Sequence, residues 1–278
     1  MNKFVFSLLS VLFLQGLVGF SPALAGPEEP YDPWEPMNRG IFDFNDYLDV
    51  HILEPVARAY RENAPEPVYK GIGNFFQNLE YPNYLVSDLI QGKFTQAWDH
   101  TARFVINTTI GVLGFMDFAT DWGYPYHDED FGIALAYHGV PAGPYLVVPL
   151  FGPMNVRDGI GEIVDGFLNP IGWVGYSSIN DGAKVAIAVG ALGVRTVQTR
   201  AGLLQAIETA KESSVDYYLS VQGAYYQWRY GLLKDGKIDE DEFEEPKLPQ
   251  GTFKGLEANG WGDSETPCRL VLQESTLA

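Results

Sequence analysis

A chain of 278 residues that is 46% hydrophobic and only 19% charged carries enough apolar side chain for a large core, which excludes wholesale disorder. Its 36 acidic residues against 18 basic ones give a net charge of −18, and so acidic a chain repels phosphate backbones, which excludes nucleic acid as a partner. The one cysteine, Cys268, excludes internal disulfides and multi-cysteine zinc or iron–sulfur centres.

Residues 1–25 read as a secretory signal peptide. Lys3 supplies the positive start, Phe4 to Phe20 the apolar stretch, and Ala23-Leu24-Ala25 before Gly26 the small-residue cleavage site. An uncleaved anchor is the competing reading, and Pro22 and the lack of a basic stop-transfer cluster weigh against it. Export to a bacterial periplasm or beyond follows. No cysteine stands near the cleavage site, so acylation of a lipoprotein cysteine is not available.

Residues 26–31 form a short Pro/Glu linker, and a mostly helical domain is expected over 32–234. Asp32-Pro33-Trp34-Glu35 has the form of a capping box with a proline in the first turn. Ile41, Phe44, Leu48, Ile52 and Val56 then recur at helical spacing as one apolar face, widened by Phe42 and Tyr47. A second helix is expected over Tyr84–Gln91 with Gly92 as its stop, and a third over Phe94–Ile110 with Ala97, Trp98, Thr101, Phe104, Val105 and Thr108 on one face. Two apolar runs, Ile110–Ala119 and Val185–Val194, fall short of the roughly 20 residues needed to span a bilayer, and length alone favours burial in a core. Leu146-Val147-Val148, followed by Pro149 to Pro153, is the strand candidate, at most a hairpin. Helices over Val194–Ala210 and Val215–Leu233 close the domain. The remainder, 235–278, with six acids between Asp239 and Glu245, reads as a solvated, largely disordered tail.

A search for catalytic chemistry finds no nucleophile elbow, no phosphate-binding glycine loop and no H-E-x-x-H zinc motif. His127-Asp128-Glu129-Asp130 lacks a second histidine at ligand spacing and reads as a solvated loop instead of a metal site. His100, beside Asp99, reads as a helix-surface residue. Asp158, Glu162 and Asp165 share one helical face and could tune a pKa for acid–base work, but a wet face is the simpler reading.

The words Asp32-Pro33-Trp34-Glu35-Pro36-Met37-Asn38-Arg39 and Ile41-Phe42-Asp43-Phe44-Asn45 resemble the opening signature of the MlaA (VacJ) family. The likeness continues through Gly73-Asn74-Phe75, Asn78-Leu79-Glu80, Leu89-Ile90-Gln91-Gly92 and Arg103-Phe104-Val105-Ile106-Asn107-Thr108. It resumes at Phe131-Gly132, Tyr137-His138-Gly139-Val140, Gly143-Pro144-Tyr145, Arg157-Asp158 and Thr199-Arg200-Ala201. The resemblance implies a mainly α fold, a ring-like bundle of amphipathic helices lying in the inner leaflet of the outer membrane, with at most a short β-hairpin. It implies non-enzymatic removal of mislocalised phospholipid from the outer leaflet through an amphipathic channel, with no cofactor. The lipid would pass to a periplasmic carrier, with a porin trimer as docking partner. It also turns the two short apolar runs from core into leaflet-embedded surface. Asp32, Pro33, Glu35, Asn38, Arg39, Phe42, Phe44 and Asn45 are then the family-motif positions, with capping and polar packing as their plain role. Phe42, Phe44, Phe115 and Met116 are candidates for the lipid path, and Gly139 and Gly143 for a hinge. The competing reading is a periplasmic binding or scaffold protein whose aromatic faces meet protein partners. An acid-dependent hydrolase using Asp158, Glu162 or Asp165 is the third.

Overall fold

Pro36 sits in the first turn of the opening helix, α1 (Glu35–Leu48), where its missing N–H costs nothing. The computed structural model describes residues 28, 30–174, 177 and 179–237. The signal peptide expected at 1–25 and all but the first three residues of the expected tail lie outside the described residues. The expected capping box does not form. Trp34 occupies the cap position without a side-chain bond. Asp32 instead accepts from Asn38 at 2.7 Å, from the Tyr218 hydroxyl, and from Gln222 at 3.2 Å, while Glu35 pairs with Arg39 at 2.8 Å. A π turn over Asp49–Leu53 joins α1 to α2 (Glu54–Asn63). The expected single apolar face divides: the extra residue in that turn rotates the pattern for Ile52 and Val56, while Phe44 already faces outward ahead of it. Ile41 and Leu48 are partly buried, whereas Phe44, Ile52 and Val56 are exposed.

Helix α3 (Glu66–Leu79), which the apolar pattern did not announce, leads to α4 (Tyr81–Gln91), closed at Gly92 with φ +73° as expected. Helix α5 (Phe94–Thr109) has the expected extent but a different buried face: Ala97, His100, Arg103 and Asn107 are buried, while Trp98 and Val105 are exposed. The run Ile110–Ala119 is a turn, not a continuous apolar element. Val112, Leu113 and Gly114 take left-handed backbone there, and Asp117 caps the short α6 (Phe118–Asp121). Gly114 is obligatory, since a Cβ would stand 2.4 Å from that of Asn78.

Asp130 caps α7 (Phe131–Tyr137), again without a periodic signal in the sequence because the helix is only two turns long. The expected strand is real. β1 (Tyr145–Val148) pairs antiparallel with β2 (Gly152–Asn155), Tyr145 opposite Asn155 and Val148 opposite Gly152. Asn155 ends β2 and caps α8 (Val156–Leu168), and Asn169 caps α9 (Pro170–Trp173). The closing helices are α10 (Asp181–Gly202), α11 (Leu204–Ser213) and α12 (Tyr217–Leu233), so the helix expected over 194–210 is broken at Leu203.

Packing among these helices closes on itself: α3 lies against α5, α5 on α4, α4 on α7, α7 on α8, α8 on α9, α9 on α10, and α10 returns to α3. The hairpin packs between α1 and α12. A tyrosine cluster of Tyr145, Tyr218, Tyr225 and Tyr226, with Phe42 and Ile41 packed on it, forms the apolar core there. The fold is thus mainly α with one hairpin. Burial is inverted relative to an ordinary water-soluble domain. Asn38, Asp88, His100, Arg103, Asn107, Asp158, Arg200 and Arg229 are buried, whereas Phe94, Trp98, Ile163, Phe167, Val185, Val189 and Trp228 are exposed. Just after α12, Asp235 is held by Lys93 at 2.7 Å, so the first residues of the expected tail belong to the folded unit.

Candidate functional site

The motif residues of α1 converge on the hairpin and on α12. Asn38, fully buried, donates to the Tyr145 carbonyl at 3.0 Å and accepts from the Val147 N–H at 3.0 Å, so it closes the open ladder of β1. Asn45 does the same for the turn, donating to the Val148 carbonyl at 3.0 Å and accepting from the Leu150 N–H at 2.9 Å. Arg39 grips Asp216, the cap of α12, through two bonds of 3.2 and 2.8 Å, and lies 4.4 Å over the Tyr218 ring. Phe42 meets Tyr217 and Tyr218 at ring distances of 5.3 and 5.4 Å. Phe44 is half exposed on the outer face, and Pro33 lies exposed ahead of the helix. The motif is a polar latch between the first helix, the hairpin and the last helix.

The turn held by Asn45 presents Leu150 and Phe151, 72% and 67% exposed, at its tip. Ahead of β1, Gly139 and Gly143 hold φ of +78° and +71°. The segment between them is tied down: Glu28 accepts from the Ala142 N–H at 3.1 Å and from Arg157 at 3.0 Å, and the Tyr31 carbonyl accepts from the Tyr145 N–H at 2.8 Å. Glu28 and Tyr31 of the expected linker therefore strap this loop.

A second constellation gathers around Asp158, one of the three acids for which the sequence predicts a wet face. Arg229 on α12 pairs with Asp130 and lies 2.8 Å from Asp158, both against α7 and α8. Asp158 also accepts from Asn155 at 2.9 Å, Arg157 at 3.0 Å and the Tyr225 hydroxyl. Burial raises Asp130, but the adjacent guanidinium outweighs it and holds this carboxyl below its usual range. Gly132 and Gly161 make room for the network, since α7 and α8 touch there backbone to backbone: a Cβ on Gly161 would stand 2.5 Å from the Gly132 nitrogen. Asp165, one turn on, is buried and accepts from the Phe131 N–H at 3.1 Å; desolvation, then the charges of Asp130 and Glu162, push it up to about 7.

The wet-face reading of Asp158 and Asp165 is thus corrected, because two glycines let the helices approach and a buried arginine balances the charge. Glu129 is also buried, held by Lys93 and Gln91 at 2.6 Å each, so His127–Asp130 is not a solvated loop. Among the described residues no group of three His, Cys, Asp or Glu is placed to hold a metal ion. His100 is buried, with Asp88 at 2.7 Å and the His127 carbonyl at 2.9 Å, instead of lying on the helix surface.

Glu80, Asp128, Glu162 and Arg195 complete the arrangement. Arg195 on α10 pairs with Glu80 at the start of α4. Asp128 and Glu162 are solvent-exposed, yet desolvation by surrounding protein pushes both carboxyls up, and Glu162 senses Asp130, Arg195, Arg229 and Glu80. A group open to solvent and still desolvated lies in an enclosed, concave place. These side chains come from the start of α4, from α8, α10 and α12 and from the segment before α7, their charges act on one another, and together they define one charged internal space of the helix circuit. A cavity of about 250 Å³ adjoins it, with Tyr126, His127, Asp128 and Asp235 on its wall. No sequence motif marked this space; its members are scattered over 150 residues.

Outside, Ile160, Ile163 and Phe167 on α8 and Val185, Ile187, Val189, Leu192 and Val194 on α10 are exposed. So are Val112 and Leu113 on the left-handed turn. Of the two other lipid-path candidates, Met116 is half exposed and the Phe115 ring fills the notch left by Gly71 on α3. No helix among the described residues is long and apolar enough to cross a membrane.

Apolar side chains outside and charge within define a helical protein whose outer surface suits lipid better than water. The MlaA lipoprotein family matches residues 30–231, and the chain belongs to that family. It is 31% identical over 246 residues to the "Intermembrane phospholipid transport system lipoprotein MlaA" of Escherichia coli (strain K12), covering 87% of this chain and 94% of that protein. It is 31% identical to the protein of the same description from Haemophilus influenzae, covering 90% and 97%. A solved structure reported under "Structural basis for maintenance of bacterial outer membrane lipid asymmetry" superposes with a TM-score of 0.64 at 32% identity, over 73% of this chain and 98% of that one.

Proposed function

We propose that this chain is a non-enzymatic phospholipid transporter of the outer membrane, which removes mislocalised phospholipid from the outer leaflet and passes it to a periplasmic carrier. The inverted burial carries the reading: short helices expose apolar faces that a leaflet covers, while the charged space inside offers a headgroup a polar route. The names of the relatives support the same assignment. A non-enzymatic role is supported by His100 and Asp158, two candidate acid–base groups, each being engaged in structural bonds. A porin trimer is the docking partner the family resemblance implies. Gly139 and Gly143 are the hinge of a movable hairpin, with Asn45 and the contacts of Glu28 and Tyr31 as the catches that release it. The apolar faces supply membrane attachment: at about 0.8 kcal/mol per buried CH₂ a few half-buried helices exceed one acyl chain.

Two measurements test this. Membranes washed in alkaline carbonate retain the protein, and detergent-extracted protein carries phospholipid. Quantitative release into the wash, with a stoichiometric protein partner and no lipid, would instead establish the scaffold reading that the wide aromatic faces also suit.

A further inference from the structure

The charged internal space is unbalanced. Four carboxylates, Glu80, Asp128, Asp130 and Glu162, stand against two guanidiniums, Arg195 and Arg229, and Arg229 is buried and already committed to Asp130 and Asp158. Arg195 is the accessible cation: its side chain is 51% exposed while its partner Glu80 is 16% exposed. Among the described residues Asp128 accepts only from the Tyr126 hydroxyl at 3.2 Å, and no cation stands within ion-pair distance of Glu162. Asp165 supplies a separate sign of a missing donor. It is 7% exposed, and its Oδ1 has no hydrogen-bond partner, although its other oxygen is satisfied by Phe131. A buried acceptor left open costs free energy unless something brings a donor to it. The carboxylates do not cluster tightly enough for a metal ion. They suit a larger cation on a flexible stem, one that also carries a phosphate for Arg195.

We propose that this space selects zwitterionic phospholipids whose headgroup ends in an ammonium over anionic phospholipids, with Arg195 exchanging Glu80 for the lipid phosphate and Asp128 and Glu162 receiving the ammonium. The proposal rests on the lipid-transport reading above. An anionic headgroup brings the phosphate but nothing for the carboxylates, and meets their repulsion instead.

Detergent-extracted full-length protein, incubated with vesicles of equimolar phosphatidylethanolamine and phosphatidylglycerol and repurified, is analysed by mass spectrometry for the ratio of bound lipids. Two partly exposed charge contacts predict enrichment of the ethanolamine lipid by about fivefold. Glu162→Gln, on an exposed side chain whose loss leaves the fold intact, halves that bias or more, and Asp128→Asn with Glu162→Gln brings the ratio close to that of the vesicles. Bound lipid at the vesicle ratio in the wild type, or a bias that survives the double substitution, overturns the selection while leaving lipid transport standing. A bias abolished by EDTA and restored by Mg²⁺ overturns it in favour of a bridging free cation. Absence of any bound lipid overturns both readings.

Discussion

Asp165 shows how a single side chain records its surroundings. Desolvation and its carboxylate neighbours raise it from 3.8 to about 7. Between those values the native state holds a proton that the unfolded chain has released, so this residue's contribution is fully present below pH 4 and is lost as pH rises through about 7. Asp165→Asn removes that dependence while keeping an oxygen for the Phe131 N–H. Denaturation in detergent at pH 5 and pH 8 is expected to show wild type losing more stability across the interval than the variant; equal losses would contradict the assignment. Asn38 and Asn45 record the opposite situation, in which every polar group finds its partner. Their motif was legible in the sequence as words, but not their purpose: an asparagine followed by helix-forming residues looks like a cap, and only the fold brings β1 within reach of Asn38.

At the scale of elements, the α7–α8 crossing depends on two glycines. Gly161→Ala forces a methyl group against the Gly132 backbone and pushes apart the helices that enclose Arg229, Asp130 and Asp158. The expected cost is about 1–3 kcal/mol, read as a lower denaturation midpoint, whereas Gly166→Ala on the same helix, with nothing near its Cβ, leaves stability nearly unchanged or raises it. The turn of the hairpin is held differently, by the two Asn45 bonds, while Asn38 holds β1. Asn45→Ala frees that turn without disturbing the core, and the account expects altered phospholipid exposure at the cell surface with normal protein level; unchanged exposure would count against a movable hairpin. Element extents were readable where stop signals exist, as at Gly92, and where periodicity is long, as in α5. They were lost where a π turn shifts the register after Leu48, where the chain breaks at Gly202-Leu203 although the helical pattern runs on across it, and where α7 is too short to repeat.

The molecule as a whole is organised by its solvent. Sequence reasoning about α5 assumes that apolar residues point inward, and that assumption fails: Trp98 and Val105 face out while His100, Arg103 and Asn107 are buried. The same inversion hid the charged space, because Glu80, Asp128, Glu162 and Arg195 look like ordinary solvated residues until the circuit of helices encloses them. Short apolar runs such as Val185–Val194 make physical sense once a leaflet covers them. Family words, with no reference to burial, carried the function where the apolar pattern misled. The most direct test of the central claim is the amount of phospholipid exposed in the outer leaflet of cells with and without this gene. The account predicts a rise on deletion that the wild-type gene reverses. Unchanged exposure in deleted cells, with the protein normally abundant in the parent, would contradict it.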